Sequence, residues 1–183
     1  ELYLVTYKNR NLKNFIKNII IFPHKKKVAV NNQKYEEFKT KHFELSQKSY
    51  TKMEELSDEE YDKVIVGSDQ IWNTTIMDSD DAYFLPWVKK AKKIAYAPSF
   101  GAKRLEKYVG DIENYKKYLH EFDHLSIREK NGQTWLKELL QEEVPVVLDP
   151  TLLLEKEDYE KIEAKDIEEK EKYIFFYCPS FNS

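Results

Sequence analysis

The chain has 183 residues, enough for one hydrophobic core and the beginning of a second. Apolar residues make up 41% of it, with 13 Tyr and 10 Phe, which excludes disorder throughout even though 34% of the residues are charged. Thirty Lys and Arg against 33 Asp and Glu leave a net charge of -3, which excludes the global basic excess of a nucleic-acid binder, and the single cysteine, Cys178, excludes a disulfide framework or cysteine-rich metal cluster.

In chain order, Leu2-Tyr3-Leu4-Val5 reads as a strand. From Asn9 to Lys27 the chain is basic, and Phe15, Ile16, Ile19 and Ile20 share one helical face. Such a helix can touch a membrane surface, so peripheral membrane association is one reading; lysines on a solvated face are the simpler one. Val28 to Asn32 reads as a link, and Lys34 to Ser49 as a peripheral helix or irregular arm. Ser57-Asp-Glu-Glu60 has the form of a helical N-terminus with acids in its first turn. No apolar run reaches membrane-spanning length and no signal-peptide pattern opens the chain, so a cytoplasmic protein is expected.

From Tyr61 a simple syntax repeats. Val64–Val66 ends at Gly67-Ser68-Asp69, and Ile94–Ala97 at Pro98-Ser99-Phe100-Gly101. Leu125–Ile127 ends at Arg128-Glu129, and Val146–Leu148 at Asp149-Pro150-Thr151. Each is a short β-branched or apolar run closed by polar residues, as buried parallel strands are. Helices are expected over Leu105–His120, Glu129–Leu140 and Leu152–Ile162. Strands alternating with helices predict an α/β fold with a Rossmann-like, doubly wound parallel sheet. Tyr173–Cys178 is a further strand-like run close to the end, which suggests a fragment.

In doubly wound sheets ligands bind outside the carboxyl ends of the strands, where the strand order reverses. That geometry gathers Ser68, Asp69, Ser99, Arg128, Glu129 and Asp149 on one edge. Arg128 can hold a carboxylate or phosphate through parallel hydrogen bonds, or can pair internally with Glu129 or Asp123. Asp69 can accept a proton from a substrate hydroxyl, or cap a helix. Trp72, Trp87 and Tyr96 can stack on a sugar ring, or fill core. Ser99 and Gly101 form a turn of the kind that offers backbone N–H groups to an anion. The four histidines share no ligand spacing, and neither a phosphate loop nor a dinucleotide glycine fingerprint is present, so no metal and no cofactor are expected.

Five blocks carry a family resemblance: Val64-Ile-Val-Gly-Ser-Asp-Gln-Ile-Trp-Asn73, Tyr83-Phe-Leu85, Lys93-Ile-Ala-Tyr-Ala-Pro-Ser-Phe-Gly101, Phe122-Asp-His-Leu-Ser-Ile-Arg-Glu129 and Val146-Val-Leu-Asp-Pro-Thr-Leu-Leu153. In order and spacing they resemble the polysaccharide pyruvyl transferase family. The resemblance implies two facing Rossmann-like domains, as in two-domain glycosyltransferases. It implies transfer of a pyruvyl group from phosphoenolpyruvate to a saccharide or lipid-linked saccharide, usually as a ketal across two hydroxyls. Carried onto this sequence, Arg128 falls on the donor side, with Asp69, Gln70 and Asn73 on the acceptor side. Asp69 and Arg128 are the expected catalytic residues; Ser68, Gln70, Trp72, Asn73, Tyr96, Ser99, Glu129 and Asp149 are the expected substrate-binding ones. Family members also carry an Asn-Tyr-Gly-Ala-like segment early and an Arg/His motif in a second domain, neither found here. Residues 1–165 are therefore expected to form an N-terminal domain lacking its first strand, with 166–183 a linker and the first strand of a second domain. Such a chain is expected to be inactive alone. A nucleotide-sugar glycosyltransferase domain and a non-catalytic flavodoxin-like module are the competing readings.

Overall fold

The computed structural model describes residues 23, 25–76, 78–101, 104–107, 109–163 and 172–174. The chain divides into two compact units, Tyr50–Ile167 and a second made of Glu1–Ser49 with Glu168–Ser183. In the second unit, helix α1 spans Lys25–His42. It runs through the stretch expected as a link, Val28–Asn32, because no proline or glycine follows Pro23 to break it and the lysines, glutamates and glutamine that flank the stretch are good helix formers. The expected arm is thus helical to His42 and irregular from Phe43. Local side-chain pairs support the helix, Gln33 with Glu37 at 2.8 Å and Lys39 with Glu36 at 2.9 Å. The expected strand Leu2–Val5, the apolar face Phe15–Ile20 and most of Tyr173–Cys178 lie outside the described residues.

The unit Tyr50–Ile167 is α/β. Its sheet has three parallel strands in sequence order, β1 (Lys63–Val66), β2 (Lys92–Ala95) and β3 (His124–Leu125). Val64 lies beside Lys93, and Ala95 beside Leu125. A parallel bridge between Ile127 and Val146 continues the pairing one position further, where a full strand Val146–Leu148 was expected. The described strands contain no reversal of order.

The crossovers differ from one another. Between β1 and β2 the chain makes turns and one 3-10 turn, Asp81–Phe84, with no helix among the described residues. Between β2 and β3 lies α2 (Ile112–His120), shorter than expected because Gly110 interrupts and Asp111 caps the new start, accepting from the Asn114 N–H at 3.2 Å. Helix α3 (Lys130–Leu140) follows β3 and ends on Gln141 in a left-handed conformation, φ 60°. The expected helix Leu152–Ile162 resolves into a 3-10 turn, Pro150–Leu153, and the short α4, Lys156–Glu160.

Trp72 anchors the core at 1% exposure, stacked on Phe84 with ring centres 5.4 Å apart and packed edge-on against Phe122 at 5.8 Å. Leu119 of α2, Leu136 of α3 and Ile127 close it from the helical side. Two carboxylates tie the sheet entrance. Ser57–Glu60 does not begin a helix; Asp58 turns inward, and its Oδ2 accepts the backbone N–H groups of Lys89, Lys90 and Ala91 at 2.8, 2.6 and 2.8 Å. Those bonds, led by the one from Ala91, lower its pKa to about 2. Glu121 holds the buried Lys93 amine at 2.6 Å, and this bond lowers the Glu121 pKa.

Candidate functional site

The polar strand ends meet around the loop 97–101. Gly67 leaves β1 with φ 122°, and a Cβ there would lie 2.0 Å from the Tyr96 carbonyl oxygen, so only glycine allows the exits of β1 and β2 to approach this closely. Asp69 and Ala97 both take left-handed backbone conformations, φ 49° and 50°. Ala97 has no polar side chain to offset that cost of roughly 1–2 kcal/mol, so its neighbours must hold it. Ser126 does: its Oγ accepts the Ala97 N–H at 3.0 Å and donates to the Ala95 carbonyl oxygen at 2.8 Å.

Ser68 begins the principal cluster. Its hydroxyl donates to Asp149 Oδ2 at 2.6 Å, across 81 residues of sequence. Arg128 Nη1 donates to the same carboxylate oxygen at 2.9 Å and to Ser68 Oγ at 3.3 Å. Arg128 Nε faces Glu129 Oε1 at the longer distance of 3.3 Å, and Nη2 donates to none of the described residues. The backbone fixes the base of this side chain, since the Arg128 N–H bonds the Pro98 carbonyl oxygen at 3.1 Å. Asp149 is anchored from its other side, Oδ1 accepting from the Thr151 N–H at 3.0 Å and hydroxyl at 2.7 Å as the cap of the following 3-10 turn.

These contacts set the charges. Hydrogen bonds from Ser68 first, then Thr151 and Arg128, hold the Asp149 carboxyl well below the usual range, so it is ionised. Burial works against the Arg128 cation, but the bonds to Asp149 and Glu129 more than offset it and raise its pKa. Glu129 occupies the N-cap position of α3 without capping it, and its Oε2 is shut from solvent with no hydrogen-bond partner among the described residues.

On the other side of the loop, Asn73 is buried and donates from Nδ2 to Gln70 Oε1 at 2.9 Å, while its Oδ1 accepts from the Thr75 hydroxyl at 2.7 Å. Both side chains press on Gly101, where a Cβ would lie 2.8 Å from either. The Asp69 side chain lies exposed on the turn that precedes them, which is not a helix, and takes no hydrogen bond from the described residues.

The structure therefore joins Ser68, Arg128, Glu129 and Asp149 in one group and Gln70 with Asn73 in another, Asp69 lying between them in sequence. It does not bring Trp72 to a surface, since the ring is buried against Phe84, Phe100 and Phe122. Ser99 is fully buried and positions the loop; its N–H is taken by the Asp69 carbonyl and the Gly101 N–H by its own hydroxyl, so neither of these N–H groups is left for an anion. Tyr96 is half-buried, its N–H bonded to Val66. Asp123, the other partner considered for Arg128, instead accepts the Lys93 N–H. Sequence reasoning missed Ser126, whose place in a strand-end Ser-Ile-Arg-Glu run was the available signal.

A family model described as polysaccharide pyruvyl transferase matches residues 4–182. The chain belongs to that family. It is thus a member of a family of transferases whose acceptors are saccharides. No curated protein and no solved structure matches the chain. The matched span includes every residue of both groups around the loop, the Arg128 cluster and the Gln70–Asn73 pair. No three His, Cys, Asp or Glu side chains cluster as metal ligands among the described residues, and no helix among them is long and apolar enough to cross a membrane.

Proposed function

We propose that this chain provides the sheet-edge wall of a site that transfers a pyruvyl group from phosphoenolpyruvate to two hydroxyls of a saccharide. The observation that carries the reading is Arg128: a guanidinium fixed at Nη1 by an ionised carboxylate and a hydroxyl, with Nη2 uncommitted among the described residues at the carboxyl edge of a parallel sheet. A planar cation so held suits the donor carboxylate. Asp69, exposed and with no side-chain partner among the described residues, suits the acceptor side beside Gln70 and Asn73, where a carboxylate can take a hydroxyl proton. The two acceptor oxygens would bond to C2 of the donor as its C–O bond to phosphate breaks; of the two hydroxyl protons released, one would go to C3 and the other would leave with the phosphate.

Charge sets what else this reading requires. Arg128 shares its single positive charge with two carboxylates, Asp149 and Glu129, so the donor phosphate needs cations from beyond this group. The reading supplies them from a second Rossmann-like domain facing this one, and residues 1–183 alone are expected to show little or no turnover.

Calorimetric titration tests the donor. Heat is expected with phosphoenolpyruvate and none with a panel of nucleotide sugars. Arg128→Ala should abolish the heat at a stability cost no larger than the about 2 kcal/mol of one charge-assisted bond. Heat with a nucleotide sugar alone would replace this reading with a glycosyltransferase, and a collapse of the melting temperature in Arg128→Ala would make the arginine a structural ion pair.

A further inference from the structure

We infer that Glu129 is a displaceable counter-ion, covering the Nε edge of Arg128 until a carboxylate or phosphate oxygen of an anionic ligand takes its place. The inference deepens the reading above and rests on it for the identity of the donor, though not for the chemistry of the exchange.

The two carboxylates on Arg128 are held very differently. Asp149 is locked: one oxygen receives Ser68 at 2.6 Å and Arg128 at 2.9 Å, the other receives the Thr151 N–H and hydroxyl. Moving it would break four hydrogen bonds and uncap a turn. The Glu129 side chain has a single polar contact among the described residues, the 3.3 Å approach of Oε1 to Nε, beyond the usual length of a charge-assisted bond. Its other oxygen is shut from solvent and receives nothing in exchange from the described residues. Swinging the side chain outward would lose one weak contact and restore hydration to a carboxylate, so the exchange is inexpensive. Part of the path is already open, since the Glu129 side chain retains 31% exposure.

The vacated place suits an anion. Nε and Nη2 form one edge of the guanidinium, and with Glu129 gone both are available for two parallel bonds. Glu129 sits at the N-cap of α3 without capping it, so no cap bond would be lost as it leaves. While Glu129 stays, the group formed by Arg128, Asp149 and Glu129 is net negative and opposes any anion; exchange replaces one negative charge by another at the same cation.

The test compares wild type with Glu129→Gln, which keeps the shape and removes the charge, by calorimetry with phosphoenolpyruvate, pyruvate and inorganic phosphate. Removing the competing charge should tighten binding of at least one of these anions about five- to tenfold. In the Arg128→Ala background the gain should vanish. If Glu129→Gln lowers the melting temperature, Glu129→Ser, which removes the charge and can cap α3, takes its place. Tighter phosphate or pyruvate without phosphoenolpyruvate binding would support the exchange and dismiss the donor. Tightening for none of the three, or a gain that survives Arg128→Ala, would overturn the inference whatever the donor proves to be.

Discussion

At the scale of single residues, what distinguishes this site is an arginine held by a carboxylate that is itself held. Ser68 and Asp149 both touch Arg128, but they differ in charge and in what removal leaves behind. Asp149→Asn keeps the shape, removes the only strong counter-charge at Nη1 and weakens the bond from Ser68; charge-assisted hydrogen bonds of this kind contribute about 2 kcal/mol. Ser68→Ala deletes a neutral hydroxyl whose loss costs about 1 kcal/mol. Urea denaturation should therefore rank Asp149→Asn as the more damaging change. The reverse order would show that the hydroxyl of Ser68, which touches both Asp149 and Arg128, holds the cluster more firmly than the charge of Asp149 does.

At the scale of elements, two glycines measure how tightly the strand exits are packed. Gly132 lies inside α3, where glycine costs roughly 1 kcal/mol relative to alanine, so propensity alone favours Gly132→Ala. Packing opposes it: a Cβ there would sit 2.7 Å from Ile127 Cγ1, and overpacking costs about 1–3 kcal/mol. Ile127 is fully buried and cannot yield, so the expected net effect of Gly132→Ala is destabilisation, read as a lower urea midpoint. Gly67→Ala should be far worse, losing several kcal/mol, because backbone strain at φ 122° adds to a clash with the unmovable Tyr96 carbonyl. A neutral Gly67→Ala would mean that the β1 and β2 exits separate readily, and the site geometry with them.

These elements also show what could be read in advance. Three of the four expected strands were legible because short apolar runs closed by Gly, Ser, Asp or Arg carry their signal locally; the fourth, Val146–Leu148, is reduced to a single bridge at Val146. The break at Gly110-Asp111 has a local signal too, a glycine followed by a capping acid, which outweighs the apolar periodicity that runs across it. The helix-free crossover between β1 and β2 was not legible, since its turns are set by the aromatic packing of Trp72, Phe84 and Phe100. Nor was the partner of Arg128: Glu129 adjoins it, whereas Asp149 is 21 residues away and Ser68 is 60, brought together only by the sheet.

At the scale of the whole unit Tyr50–Ile167, three carboxylates fasten separate parts of the fold, and all three have lowered pKa values. Asp58 ties the approach to β1 onto the start of β2, Glu121 ties the end of α2 to β2, and Asp149 ties the far strand end to the exits of β1 and β3. Their unfolded counterparts protonate near pH 4, before the folded groups do. The unfolded state therefore binds protons first, so the stabilisation is complete above about pH 5 and is lost as the pH falls from about 4 towards 2. Melting temperature should fall steadily over that window. Asp58→Asn isolates one tie, because an amide oxygen still accepts hydrogen bonds but carries no charge and does not titrate. The variant is expected to melt lower than wild type at pH 7, with the difference narrowing as acid removes the charge of Asp58 in wild type as well. A constant difference down to pH 2 would mean that the triple acceptor acts through shape alone, and that the acid sensitivity of this unit resides in Glu121 and Asp149.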